Sequence, residues 1–239
     1  MKHALVTGGS GAIGGAICRR LAADGCHVYV HANRGLSAAQ ALADAICADG
    51  GSAQALAFDV TDSDAVSGVL APLIEHQLIQ ILVNNAGIHD DAVLPGMRAE
   101  QWHRVMDVSV NGFFNVTQPL LMPMIRSRWG RVINLSSIAS ITGNAGQVNY
   151  SAAKGALNSA TKSLAREVAN RGITVNAVAP GIIDTRMSES AFSAQEIRRL
   201  VPMRRAGTPG EVADLIGFLA SNQAAYISGQ IISINGGMI

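Results

Sequence analysis

Short runs of consecutive apolar residues recur along the chain and alternate with longer stretches whose apolar positions return every three or four residues. Residues 5–6, 28–30, 55–58, 81–83, 132–135, 174–175 and 231–234 read as strands. Because these runs are continuous rather than alternating, they suit parallel strands covered on both faces. Residues 13–24, 36–48, 64–76, 98–126, 149–170 and 210–221 read as helices, with Gly25, Gly50-Gly51 and Gly172 as stop signals. The first four strands begin about every 25 residues, the spacing of a strand–helix unit. No residue motif repeats with that spacing, so the period belongs to a layered sheet and not to a solenoid. Strand then helix in alternation predicts right-handed crossovers and an α/β fold, a doubly wound parallel sheet of about seven strands. No linker interrupts the pattern, and residues 1–239 read as a single domain. Ligands of such sheets bind beyond the carboxyl ends of the strands, so the loops after each strand are where chemistry is expected.

Composition agrees with a large buried core: 49% of the residues are hydrophobic and 15% charged. A net charge of +1 and an aromatic content of 4%, with no basic stripe, argue against nucleic-acid binding. No apolar run reaches the ~18 residues of a membrane span, and Met1-Lys-His-Ala-Leu-Val-Thr7 enters a strand at once, without a signal-peptide pattern. Cys18, Cys26 and Cys47 share no Cys-x-x-Cys spacing and are expected to be buried free thiols of a reducing compartment. The expectation is a soluble cytoplasmic protein with no membrane or nucleic-acid partner. The six histidines lack close ligand pairing, so no metal site is expected.

The first strand runs into Thr7-Gly-Gly-Ser-Gly-Ala-Ile-Gly14 and then a helix. Glycines let the backbone turn tightly and approach a pyrophosphate, while the helix N-terminus offers unpaired N–H groups. Gly9-Ser-Gly11-Ala-Ile-Gly14 also matches the G-x-G-x-x-G pattern of Rossmann-type dinucleotide folds. Gly8, Ser10, Ile13 and Gly14 are the candidate contacts; an ordinary glycine-rich turn is the alternative. The second strand ends in His31-Ala32-Asn33-Arg34, without the acidic residue that usually holds the ribose of NAD. Arg34, beside Asn33, suits a 2′-phosphate, which favours NADP(H), unless it is a solvated loop charge. Asp59-Val60 would bracket an adenine, or Asp59 would cap the next helix. Asn84-Asn85-Ala86-Gly87 is a small-residue turn that a ribose could approach.

Tyr150 and Lys154 stand at i and i+4, one turn apart on a helical face. A tyrosine ionises near pH ~10 and becomes a useful acid–base group when a cation lowers that value. Ser137 lies upstream, where its hydroxyl could bond a substrate carbonyl. An amphipathic helix with a chance Tyr-x-x-x-Lys is the alternative for this pair taken alone.

With these segments in order, the chain resembles the short-chain dehydrogenase/reductase family over its whole length. Thr7–Gly14, Asp59-Val60, Asn84–Gly87, Ser137, Tyr150-x-x-x-Lys154 and Pro180-Gly181 carry the resemblance. Within the family it is most similar to the 3-oxoacyl-(acyl-carrier-protein) reductases, through Gly143–Tyr150, Arg171–Asn176, Pro180–Met187 and Asn235-Gly-Gly-Met238. The resemblance implies that Tyr150 gives its proton to the forming alkoxide, that Lys154 lowers the tyrosine pKa and binds the nicotinamide ribose, and that Ser137 polarises the carbonyl. It places Asn85, Ala86, Gly87, Pro180, Gly181, Ile183 and Thr185 around the cofactor. Acyl carrier protein would dock near Arg128 and Arg171, with Arg126 and Arg131 adding charge, unless these are solvated helix ends. A short substrate lid is expected at about 183–205, including Met187, Ser188, Ser190 and Met203, and a homotetramer paired through the long apolar helices.

Two departures stand out. Ser109 occupies the position where the family carries a fourth catalytic residue, an Asn, and a modified proton relay is expected. Asn111 is no substitute, because two residues along a helix turn a side chain by about 200°. The sequence around Ser109 resembles reductases of polyene pathways. Gly11-Ala12 stands where many relatives have Arg-Gly, which leaves more of the 2′-phosphate to Arg34. The implied activity is NADPH-dependent reduction of a 3-oxoacyl thioester. Reduction of a sugar, a steroid or another small alcohol's ketone is an alternative, and a non-catalytic dinucleotide-binding regulator is the alternative from another class.

Overall fold

The computed structural model describes residues 1–185 and 192–239; Met187, Ser188 and Ser190 of the expected lid lie outside them. Seven parallel strands form one sheet in the order β3-β2-β1-β4-β5-β6-β7. They are β1 His3–Val6, β2 His27–Ala32, β3 Ser52–Ala57, β4 Ile79–Asn84, β5 Gly130–Leu135, β6 Ile173–Pro180 and β7 Ile231–Ile234. Helices α1 (Ala12–Ala23), α2 (Leu36–Ala48), α3 (Ser63–His76), α4 (Ala99–Met106), α5 (Gly112–Ser127), α6 (Ala139–Thr142), α7 (Val148–Val168), α8 (Ala194–Leu200) and α9 (Pro209–Ala220) connect them. The strand order reverses between β1 and β4, which opens a crevice at their carboxyl ends.

Successive strand residues feed opposite core layers, as the period of two requires. Ala4, Val6, Val28 and Val30 pack with Ile17, Leu21, Ile216 and Leu219 of α1 and α9. Leu5, Leu82, Val132 and Val175 pack with Val66, Leu70, Val116, Leu120 and Val168 of α3, α5 and α7. Both faces are therefore dry, which is why the strands read as continuous apolar runs. Local signals agree: Asp62 caps α3, and Thr208 with Glu211 makes a capping box at α9. Among the described residues no helix is long and apolar enough to cross a membrane.

Three expectations need correction. The stretch 98–126 is not one helix, because a π-helical turn at Asp107–Asn111 separates α4 from α5. That extra residue lets Gly112 press against Val60, where a Cβ would lie 2.8 Å from its Cγ2. Cys47 is exposed, unlike buried Cys18 and Cys26, because it lies on the solvent side of α2. Arg131 is buried, so it adds no surface charge. It sits in β5, where its guanidinium bonds the carbonyls of Gly130, Gly172 and Ser221 and covers the Trp129 ring at 4.3 Å.

Candidate functional site

The glycine turn leaves β1 and closes on itself through Gly11 N–H to the Gly8 carbonyl at 3.1 Å. Gly8 is left-handed, with φ of +63°, and a Cβ on Gly14 would come within 2.2 Å of the Gly8 oxygen. Larger residues cannot fold this way. Helix α1 begins at Ala12 with no side-chain cap and no acidic residue in its first turn. Its N–H groups are left facing the crevice, as an anion site requires. The turn thus fits a pyrophosphate.

Around it, Asn33 donates to Asp59 at 3.4 Å, and Arg34 lies near enough to help hold Asp59 below the usual carboxylate range. The main cause of that depression is Thr61, whose N–H and hydroxyl both donate to Asp59. Asp62, not Asp59, caps α3, so Asp59 with Val60 stays at the crevice edge. Asn85 braces the turn, since its amide donates to the carbonyls of Thr7 (2.9 Å) and Gly8 (3.0 Å). Thr7 Oγ1 in return accepts from the N–H groups of Asn85 and Ala86. These bonds tie the β1 and β4 loops into one wall, from exposed Ser10 and half-buried Ile13 to Gly87.

Tyr150 and Lys154 occupy the first two turns of α7, as their spacing predicts. Lys154 is 3% exposed; its Nζ donates to the Leu135 carbonyl at 2.7 Å and lies 5.7 Å from the Tyr150 ring centroid. A Cβ on Gly87 would lie 3.1 Å from that nitrogen, so the glycine makes room for it. Burial pulls the Lys154 pKa down to about 8. Ser137, at the end of β5, hydrogen-bonds the Tyr150 side chain, and its hydroxyl accepts from Ala139 N–H at 3.2 Å. Ser140 bonds the Ser137 carbonyl and Ser136, while Asn158 of α7 donates to Ser140. Ser137 is therefore fixed against α7.

The expected lowering of the Tyr150 pKa is not what the structure gives. Burial pushes the phenol up, the Ser137 hydrogen bond opposes this, and the Asp91 charge adds to it. Lys154 donates to the Leu135 carbonyl and is itself poorly solvated, so its charge does not outweigh the burial of the phenol. The phenol consequently holds its proton at neutral pH, which suits a proton donor.

Ser109 lies on the π turn, which packs against α7. It is 2% exposed, and its buried hydroxyl has no hydrogen-bond partner among the described residues. Asn111 is exposed and donates to Asp107 at 2.7 Å. Pro180 and Gly181 end β6 beside β7, and Ile183 bridges to Gly207, with Thr185 next in the chain. Arg128 and Arg171 do come together, since Arg128 donates to the Asn170 carbonyl at 3.1 Å. They lie at the amino ends of β5 and β6, at the far end of α7 from Tyr150.

Sequence reasoning missed Asn149. This fully buried side chain bonds the carbonyls of Asp90 and Gln101 and accepts from Tyr150 N–H at 2.8 Å, so it pins the start of α7 to the loop after β4. Asp91 and Gln147 join the same rim at 2.8 Å. Asn149 has no sequence signal beyond adjacency to Tyr150, because its partners are main-chain atoms, and the Asp91–Gln147 bond joins side chains 56 residues apart.

Residues 2–196 match the model of the short chain dehydrogenase family. The chain is 42% identical to the 3-oxoacyl-[acyl-carrier-protein] reductase of Aggregatibacter actinomycetemcomitans, across 98% of each protein. It is 43% identical to the enzyme of that name from Synechocystis (99% of this chain, 96% of the relative). Identity to the Escherichia coli one is 42%, over 99% and 97%.

Proposed function

This chain belongs to the short-chain dehydrogenase family, and from that premise we propose that it reduces the C3 keto group of a 3-oxoacyl thioester, presented on acyl carrier protein, to the 3-hydroxyacyl product with NADPH. The observation that carries this reading is Ser137, Tyr150 and Lys154 meeting at the carboxyl ends of the strands, beside a glycine cradle shaped for a pyrophosphate. The relatives' shared name supports the substrate.

NADPH, when bound, supplies the hydride. Gly8, Ser10, Ile13, Gly14 and the α1 N-terminus would hold its pyrophosphate, and Asn33 and Arg34 its 2′-phosphate. Asp59 and Val60 would border the adenine. Asn85, Ala86, Gly87, Pro180, Gly181, Ile183 and Thr185 would line the nicotinamide half, with Lys154 at its ribose. Ser137 donates a hydrogen bond to the substrate carbonyl and polarises it. Tyr150, protonated because it is buried, gives its proton to the oxygen as negative charge develops there. Lys154 presents a positive charge close to the ring and favours the tyrosinate that remains. Ser109, buried without a partner among the described residues, is placed to hold a water that returns a proton towards Lys154. This would replace the usual Asn with a shorter hydroxyl.

The finer reading takes the chain as one cytoplasmic domain with its lid at 183–205, assembled as a homotetramer. Carrier docking at Arg128 and Arg171 has a geometric consequence. Helix α7 carries the catalytic pair in its first turns and runs 21 residues to Val168, just before Arg171, about 30 Å at the rise of an α-helix. A carrier docked there therefore serves the active site of a neighbouring subunit.

The test is spectrophotometric. NADPH oxidation is followed with acetoacetyl thioesters and with simple ketones, in wild type and Tyr150→Phe. We expect thioester reduction in wild type and a loss of about 10²–10⁴-fold in kcat in the variant, the range of a general acid. Equal rates in the two proteins would refute the mechanism, and preference for simple ketones would favour a different alcohol as product.

A further inference from the structure

The glycine turn is held from beneath by a buried histidine. His31, 2% exposed, lies near the end of β2. The Gly8 N–H donates to its Nδ1 at 3.0 Å, and its Nε2 lies 2.9 Å from the Phe58 carbonyl oxygen. A carbonyl can only accept, so Nε2 carries the ring proton and Nδ1 offers the lone pair that Gly8 requires. The neutral Nε2–H tautomer alone satisfies both partners. The Phe58 ring packs on the imidazole with centroids 4.1 Å apart, which fixes its plane.

Gly8 is the keystone of the turn. Its carbonyl accepts from Gly11 N–H and Asn85, and Gly14 packs against it. Its orientation therefore sets where the start of α1 lies relative to the loop after β4. A second proton on the imidazole would occupy Nδ1 and face the Gly8 N–H, donor against donor. The bond would become a repulsion, and the Gly8 peptide would have to turn.

We propose that His31 is a positioning residue for dinucleotide binding: its neutral form locks the Gly8 peptide in the cofactor-binding orientation, and its protonation releases the lock. This rests on the reading of the turn as a cofactor cradle. Burial lowers the His31 pKa below 6.5, against the hydrogen bond to the Phe58 carbonyl and the charge of Asp59, which both draw a proton towards it. Cys18 of α1, beneath Gly9, is a thiol pushed up to about 12 and stays neutral. On β3 the register partner of His31 is Leu56, and Thr7 follows the end of β1, whose Val6 pairs with Val30; neither Leu56 nor Thr7 carries a charge. Affinity is then full above the His31 pKa and falls as pH drops through it, by about tenfold per pH unit once the protonated form dominates. The 2′-phosphate of NADPH also titrates near pH ~6, so a wild-type profile alone does not isolate the histidine.

The experiment measures dissociation constants of NADPH and NADH by titration calorimetry between about pH 5.5 and 8, in wild type, His31→Asn and His31→Leu. Asn can place an amide oxygen near the Nδ1 position and cannot take up a proton. We expect His31→Leu to weaken both cofactors about fivefold to tenfold at every pH, the effect of one lost hydrogen bond. His31→Asn should recover most of that loss at pH 8 and lack the acid weakening that wild type shows with NADH. An acid limb in His31→Asn as steep as that of wild type overturns the proposal, as does wild-type affinity in His31→Leu. If the leucine variant does not fold, the comparison of wild type with His31→Asn decides the matter. Failure of wild type to bind either cofactor at any pH would strike the cradle reading itself.

Discussion

Lys154 is a cation that the fold holds at a cost. Its pKa falls from 10.5 to about 8 because burial penalises the charged form. Between those values the unfolded chain binds the extra proton, so this group makes stability rise with pH from about 8 to about 10.5. Below pH 8 both states are protonated and the folded state carries the full penalty. Lys154→Met should therefore inactivate the enzyme yet stabilise it at pH 7 by about 1–2 kcal/mol, once the lost bond to Leu135 is deducted. Urea unfolding at pH 7 and pH 10 checks this, and the advantage of the variant should shrink at the higher pH. In wild type, kcat/KM for reduction should fall as pH rises above about 8, where Lys154 loses its charge. Constancy to pH 10 would show that Lys154 acts without its charge. The Tyr150–Lys154 spacing was legible in the sequence because helical geometry alone makes it. The direction of the tyrosine shift was not, because it depends on how much water the neighbours exclude.

At the scale of elements, the π turn is the feature with most consequence. It orients Ser109 inward and Asn111 outward, and π turns recur at functional sites. Ser109→Ala should lower kcat several-fold by removing the hydroxyl that would hold the relay water, whereas Asn111→Ala should leave kcat near wild type. Steady-state kinetics with a saturating thioester distinguishes them, and the reverse ranking would mean that the relay runs elsewhere. The stretch from 98 to 126 could be read as helical from its apolar periodicity. The interruption could not, since Asp107–Asn111 carries neither proline nor glycine. The turn accompanies close packing of Gly112 on Val60, a contact between residues distant in sequence.

At the scale of the whole molecule, α5 leaves Phe114 and Met122 exposed at 62% and 53%, an apolar face that subunit pairing would cover. Light scattering should give four times the 24.8 kDa chain mass. Mixing Tyr150→Phe subunits with subunits carrying Arg128→Glu and Arg171→Glu should restore reduction of carrier-bound substrate above either parent, because each subunit lends what its neighbour lacks. No gain on mixing would place docking and chemistry on the same chain. The sequence by itself determined the layered parallel sheet, the glycine turn, and the Tyr150–Lys154 pair, because each follows from short-range periodicity or from what one residue type sterically permits. Only the tertiary structure decided that His31 holds Gly8, that Asn149 anchors Tyr150, that Arg131 is buried, and that Arg128 and Arg171 lie at the opposite end of α7 from the active site. These depend on burial and on hydrogen bonds to main-chain atoms far away in sequence, which carry no side-chain identity for a sequence pattern to display.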